Sequence, residues 1–203
     1  MKTSKQKVSV GYKFVTADLK SRNGDVQWKV GEWQTCKGKL ELCENGLHAA
    51  PTPLDSLQYV YGDRWFTVAF RGEVVYGDDK FAAREMMLAE ELPVKEILVQ
   101  FAVACAKRCY KNWTAKFPGD LRVWNAIVAA EAYVKNPTEE NRSAARNAAK
   151  SAASAAWNAA SAAWNAAWNA AWSAEWNAAR NAECKWQQKT LKKLIRKTTL
   201  KEA

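Results

Sequence analysis

What the sequence has little of limits the chemistry expected from it. The chain has one histidine, His48, and only nine glycines and five prolines in 203 residues. Histidine is the usual acid–base group near neutral pH, so any such scheme would depend on His48 alone. No serine or cysteine motif of a nucleophilic enzyme accompanies it, and the sparse glycines form no phosphate-binding loop. The sequence therefore predicts no catalytic residue and no cofactor.

Cysteine pairs and long apolar runs are also lacking. The five cysteines form an odd set without a CxxC pair, and no apolar stretch reaches the length of a signal peptide or a membrane span. We therefore expect reduced thiols, a cytoplasmic location and no transmembrane segment. A zinc site and buried structural thiols are the two interpretations of these residues, and the ligand spacing matches no standard zinc motif. The residues considered are Cys36, Cys43, His48, Cys105 and Cys109.

Positive charge, by contrast, is abundant and unevenly distributed. The net charge is +10, and residues 142–203 contribute +8 of it, with 11 basic and 3 acidic side chains. A cationic tail of this kind indicates a polyanionic partner: nucleic acid, an acidic protein or an anionic membrane surface.

The first part of the chain, residues 1–117, has the pattern of a compact α+β domain with short antiparallel strands and helices. Residues 8–15 and 26–30 have strand composition, and the turn residues 23–25 between them favour a hairpin. Residues 64–72 and 73–76 also read as strand.

Two helices are predicted in the same domain. Pro53 is placed to open a short helix, and a second helix begins after Pro93 and covers residues 94–108. The segment 81–92 is compatible with either a strand or a helix.

Three segments of this domain carry a resemblance to a known family. Residues 28–32, 45–59 and 71–80 resemble an uncharacterised domain of small bacteriophage and prophage proteins, many of which also have alanine-rich helical tails. The resemblance covers about the first half of the chain and implies a viral accessory role in the host cytoplasm, without a defined reaction.

A second similarity is to the ADP-ribosyltransferase fold. Residues 46–50, 54–59 and 72–77 occupy the places of its strand, helix and strand motifs, with His48 where the family has a nicotinamide-stacking aromatic residue. This similarity implies a nucleotide pocket. The candidate ligand-binding residues are His48, Tyr59, Arg64 and Arg71, and ordinary surface arginines remain the alternative for the last two.

The second part of the chain is helical. Residues 118–136 form a predicted connecting helix, and Asn136 with Pro137 marks the start of a long helix over residues 137–203. Residues 142–183 contain 20 alanines in a repeated Ser/Asn-Ala-Ala-x unit. Successive units start three or four residues apart, and three such spacings add up to eleven residues. An eleven-residue repeat predicts a helix that is straight or supercoils slightly to the right.

Tryptophans on one stripe of this helix have two interpretations. They form the core of a homo-oligomer, or they stack on the bases of single-stranded nucleic acid; we favour the oligomer, since exposed tryptophans promote aggregation. These oligomerisation candidates are Trp157, Trp164, Trp168 and Trp172. The basic end of the helix is an alternative nucleic-acid-binding site. Its residues are Lys189, Lys192, Lys193, Arg196 and Lys197.

Together these patterns predict a phage-type accessory protein, with anti-defence activity as one form of that role. It is expected to bind a host protein or a nucleotide signal stoichiometrically and to oligomerise through its helix. The alternatives are a nucleic-acid-binding protein that uses the basic tail and an ADP-ribosyltransferase-like enzyme.

Overall fold

The structure, a computed structural model, describes residues 8–22, 26–151 and 174–199. It contains two compact units. One combines the chain up to Val94 with the segment that begins at Leu191, and the other runs from Lys95 to Thr190. We call them the sheet unit and the helical unit. The domain limits that the sequence places after residues 117 and 136 stay predictions.

The sheet unit is built on an antiparallel sheet of five strands. The strands are β1 (Ser9–Val15), β2 (Gln34–Thr35), β3 (Leu47–Ala49), β4 (Arg64–Tyr76) and β5 (Phe81–Leu92). Their order is β1-β4-β5-β2, and β3 also pairs with β5. Together with the helices described below, this sheet confirms the predicted α+β class.

A long hairpin of β4 and β5 forms the centre of the sheet. Its turn closes where the Gly77 amide donates to the Lys80 carbonyl at 2.8 Å. The register shifts between Arg71 and Val74, and Gly72 there adopts a φ of +79°, which suits a glycine in a β-bulge. The segment 81–92, left open between strand and helix by the sequence, is a strand because it pairs with β4 along most of its length.

The predicted hairpin of residues 8–15 and 26–30 is wrong. β1 instead pairs with β4, from Ser9 opposite Phe70 to Val15 opposite Arg64. Residues 26–30 form only isolated bridges, with Gln27 opposite Lys20 and Val30 opposite Leu88. The central hairpin offers β1 a long edge with many backbone partners, which a five-residue neighbour does not provide.

One face of the sheet carries the main hydrophobic core. Side chains that face each other across antiparallel strands project to the same side, so Phe66, Val68 and Phe70 on β4 meet Met86 and Leu88 on β5. All five are buried. The cluster is completed by Val15, Trp28, Leu47, Ala49, Phe81 and Ala83.

Five helices are described. They are α1 (Pro53–Ser56), α2 (Val94–Lys116), α3 (Arg122–Lys135), α4 (residues 139–151) and α5 (Ala174–Thr199). A 3-10 turn, Leu57–Tyr59, follows α1. The predicted helix starts at Pro53 and after Pro93 are confirmed. None of the described helices has an apolar stretch that would cross a bilayer.

Aromatic and ionic contacts hold α2 against its neighbours in the helical unit. Tyr110 packs on Trp124 of α3 with ring centres 5.1 Å apart. Arg108 donates to Glu183 of α5 at 2.7 Å and lies 4.5 Å above the ring of Trp186. The predicted apolar face of α3 is largely exposed, since Leu121, Trp124 and Val128 are among the exposed hydrophobic residues.

The start of α4 differs by two residues from the predicted start. The sequence favours Asn136 as the N-cap, but the Thr138 hydroxyl accepts from the Asn141 amide at 3.2 Å, and the Arg142 amide donates to the Thr138 carbonyl. These bonds define Thr138 as the cap. The Asn136 residue closes α3 instead, because its amide donates to the Ala132 carbonyl.

Replacing Thr138 by alanine is therefore expected to destabilise the start of α4 by about 1 kcal/mol, the usual loss for an N-cap side chain. Hydrogen exchange of the amides of residues 140–143 measures the change directly. Asn136→Ala is the matched control and should leave their exchange nearly unchanged. The reverse ranking of the two variants would place the cap at Asn136.

Candidate functional site

A cavity of about 450 Å³ opens on the sheet unit. Its walls come from β1, β3, the 3-10 turn and residues 21–22, 26, 28, 35–36 and 43–46. The volume lies within the range of small-molecule sites. Among the described residues, three cationic side chains line it, Lys13, Arg22 and Lys80, against one carboxylate, Glu44. The cavity is therefore suited to an anion.

Lys13 is the most unusual of these cations. It lies opposite Phe66 in the register of β1 and β4, so its side chain projects from the core face of the sheet. Its Nζ donates to the His48 carbonyl at 2.7 Å and lies 5.5 Å from the centre of the Trp28 ring. Burial lowers the pKa of Lys13 to about 8. No described carboxylate forms an ion pair with it.

The other two cations lie on tyrosine rings. The Arg22 guanidinium is 4.2 Å from the centre of the Tyr61 ring, and the Lys80 Nζ is 5.2 Å from that of Tyr59. The two rings are themselves 6.2 Å apart. A hydrogen bond to the Cys43 sulfur is the main cause that raises the pKa of Lys80. This wall of the cavity combines flat apolar surfaces with positive charge.

Tyr59 is held in place by Asp79, which does not itself line the cavity. Its hydroxyl donates to an Asp79 carboxylate oxygen at 2.6 Å, and this bond is the main cause that raises the pKa of Tyr59. The phenol therefore stays neutral and orients its ring beside Lys80. The 3-10 turn after α1 supplies Tyr59, while the β4–β5 turn supplies Asp79 and Lys80, so both contribute to one wall.

His48 lines the same cavity and shapes its rim. Its Nε2 accepts from the Cys43 amide at 3.0 Å, and Cys43 adopts a φ of +71° in the intervening turn. Burial, followed by the nearby Lys13 charge, lowers the pKa of His48. Its imidazole is therefore neutral at neutral pH, and the ring nitrogen that accepts this bond is not free to take up a proton from a substrate.

The structure brings together two of the four predicted ligand-binding residues. His48 and Tyr59 both line the cavity, whereas Arg64 and Arg71 are absent from its lining. Arg64 binds both carboxylate oxygens of Glu91, at 2.8 and 2.6 Å. Arg71 binds Glu85 at 2.7 Å and stacks on Trp33. Each of these arginines is thus neutralised by the adjacent strand.

Sequence reasoning missed Lys13, Arg22 and Lys80. For Lys13 the alternation along β1 points the other way, because the apolar residues Val10, Tyr12 and Phe14 would be assigned to the inward face. Only the register opposite Phe66 places Lys13 on the core side. Arg22 and Lys80 lie in turns, and only the tertiary structure brings them to the cavity.

The remaining predicted groups are located as follows. The cysteines are unpaired, and no cluster of three metal-ligating side chains occurs in the described ranges. The five predicted basic residues near the end of α5 are exposed. Their positions are Lys189, Lys192, Lys193, Arg196 and Lys197. The oligomerisation candidates fall in residues 152–173, outside the described residues, and their role stays a prediction. They are Trp157, Trp164, Trp168 and Trp172.

Comparison with known proteins relates part of the chain to a domain family. No curated protein and no solved structure matches the chain. The matching segment runs from β1 into α2 and includes every residue that lines the cavity. Residues 9–100 are thus similar to a family described as a domain of unknown function (DUF7666).

Proposed function

We propose that the protein binds a nucleotide in the cavity of the sheet unit and acts by holding it, without turning it over. The observation that carries this proposal is the cluster of cations on aromatic rings around Lys13. The Lys13 amine has no carboxylate partner among the described residues. Its charge is therefore costly to bury, and an anionic ligand removes that cost.

The aromatic side chains narrow the ligand class. Tyr59 and Tyr61 offer aromatic surface to a planar heterocycle, while Lys13, Arg22 and Lys80 offer charge to phosphate oxygens. A nucleotide combines both features in one molecule. Inorganic phosphate alone would use only the cations, and a nucleoside alone would use only the rings.

The biological role that accompanies this proposal is that of a phage-type accessory protein. The resemblance of residues 45–59 and 71–80 to phage proteins supports it, and these segments contain His48, Tyr59 and Lys80 of the cavity. A protein that sequesters a host nucleotide signal needs a pocket but no catalytic group. A host protein as the bound partner is the second form of the same role.

An ADP-ribosyltransferase-like enzyme is the second candidate. It is favoured by one observation, that His48 and Tyr59 line one cavity as the resemblance implies. Nucleotide binding is preferred over ADP-ribosyl transfer, because the His48 Nε2 already accepts a hydrogen bond from the Cys43 backbone amide. Release of nicotinamide from NAD would reverse that preference.

Isothermal titration calorimetry of the full chain tests the proposal. The ligands are a nucleoside, its monophosphate and diphosphate, a cyclic mononucleotide, NAD and inorganic phosphate. We expect saturable 1:1 binding of a phosphorylated nucleoside, at least about tenfold tighter than the bare nucleoside, since charge-assisted bonds contribute about 1.5–3 kcal/mol. The absence of saturation for every ligand up to millimolar concentration would refute the proposal.

Two charge-removing variants locate the binding. Arg22→Gln and Lys80→Gln should each weaken nucleotide binding about tenfold, because each loses one charged contact. Lys39→Gln is the control, since Lys39 is exposed and absent from the cavity lining. Equal weakening by all three variants would indicate an effect of net charge, and binding would not then be assigned to this cavity.

A further inference from the structure

We propose that the C-terminal end of α5 binds the phosphate backbone of nucleic acid through four exposed cations. These are Lys192, Lys193, Arg196 and Lys197, which we call the α5 cationic face. They belong to the sheet unit. Lys189, one turn earlier in the same helix, is also exposed. This inference is independent of the nucleotide cavity.

The helix presents two distinct faces in this segment. Leu191, Ile195 and Thr198 recur at helical spacing and are buried, with exposures of 0, 7 and 3%. The Thr198 hydroxyl is satisfied by a bond to the Leu194 carbonyl at 2.8 Å. The cationic residues occupy the intervening positions. Burial of one side of the helix therefore fixes the four charges on the solvent side.

The charges on this face have no partner of opposite sign in the part of the chain that the structure describes. No carboxylate of the described residues forms an ion pair with any of the four. The arginines of the sheet differ, since Arg64, Arg71 and Arg84 each bind a glutamate. Cations without such internal partners can neutralise phosphates and thereby release the counterions that are condensed on the nucleic acid.

Nucleic acid fits this face better than a lipid surface. A membrane-bound amphipathic helix inserts its apolar side into the interface. In α5 that side is formed by Leu191 and Ile195, which are already buried in the protein. What remains available is charge without apolar area, which matches a phosphate backbone.

The dimensions also agree with a phosphate backbone. Residues 192–197 extend about 8 Å along the helix axis at 1.5 Å per residue. Duplex DNA carries about four phosphates over that length, counting both strands. Four cations therefore meet enough phosphates to bind without any contact to the bases, and no sequence preference is expected.

The test measures binding of the full chain to a fluorescein-labelled 20-base-pair DNA duplex as a function of salt. The test variant replaces Lys192, Lys193 and Lys197 by glutamine and keeps Arg196, which interacts electrostatically with Tyr12. We expect at least about tenfold weaker binding, and a log–log salt slope smaller by about 3, one per lost phosphate contact.

The matched control removes the same charge elsewhere in the sheet unit. Its substitutions are Lys29→Gln, Lys37→Gln and Lys39→Gln, all at exposed positions. Circular dichroism verifies that both triple variants are folded. Binding that weakens only in the α5 variant supports the proposal. Equal weakening, no binding by the wild type, or stronger binding to phosphatidylserine vesicles than to DNA would overturn it.

Discussion

Trp65→Ala is expected to lower the free energy of opening of the sheet by about 3–5 kcal/mol, the range measured for large aromatic residues in cores. The Trp65 side chain has no exposed surface. Its ring stacks on Phe14 with centres 5.2 Å apart and planes within 4°. Its Nε1 donates to the Ser56 hydroxyl at 3.1 Å, which ties α1 to β4. Alanine removes all of these contacts and leaves a cavity.

Hydrogen exchange of the β4 and β5 amides measures this change in the sheet unit alone. A single unfolding curve would instead mix the contributions of the sheet unit and the helical unit. Trp65→Phe keeps most of the packing and should cost less than the alanine variant. Trp33→Ala is the control, because Trp33 is only half-buried and stacks on Arg71 at the surface. A loss for Trp65→Ala no larger than for Trp33→Ala would show that the Phe14 contact is not central to the sheet.

The elements that the sequence predicted correctly are those with local signals. Pro53 and Pro93 mark helix starts that need no tertiary context, and β1 and β4 are rich in β-branched and aromatic residues. Residues 26–30 have strand composition as well, but their pairing depends on which edge is available. β1 occupies one edge of the central hairpin, while short β2 and β3 share the other. No short stretch of the sequence shows such competition between distant segments.

The candidate site was predictable to a smaller extent. His48 and Tyr59 carry a motif resemblance and converge on the cavity. The sequence alone makes Arg71 equally available to bind a ligand. The strand register places it opposite Glu85, however, and the two charges form an ion pair. Whether an arginine is free for a ligand thus depends on its cross-strand neighbour. That neighbour is known only once the register is known.

Lys13→Met is expected to stabilise the sheet unit at pH 7 by about 2 kcal/mol. The lysine pKa falls from 10.5 to about 8 on folding, and each unit corresponds to about 1.4 kcal/mol. Loss of the hydrogen bond to the His48 carbonyl offsets about 1 kcal/mol of the gain. Below pH 8 the lysine is protonated in both states, so its full cost is present. Between pH 8 and 10.5 the folded state loses its proton first, and wild-type stability rises toward that of the variant.

The same substitution should abolish nucleotide binding, and this opposite change in stability and affinity is the signature of a residue kept for a ligand. Hydrogen exchange at pH 7 and 9 gives the stability difference, and calorimetry gives the affinity. Wild-type affinity should fall as pH rises above 8, because a neutral amine no longer attracts phosphate. Lys39→Met should change neither quantity. A Lys13→Met protein that is less stable and still binds nucleotide would make Lys13 a structural residue and direct the search for the ligand anchor to Arg22 and Lys80.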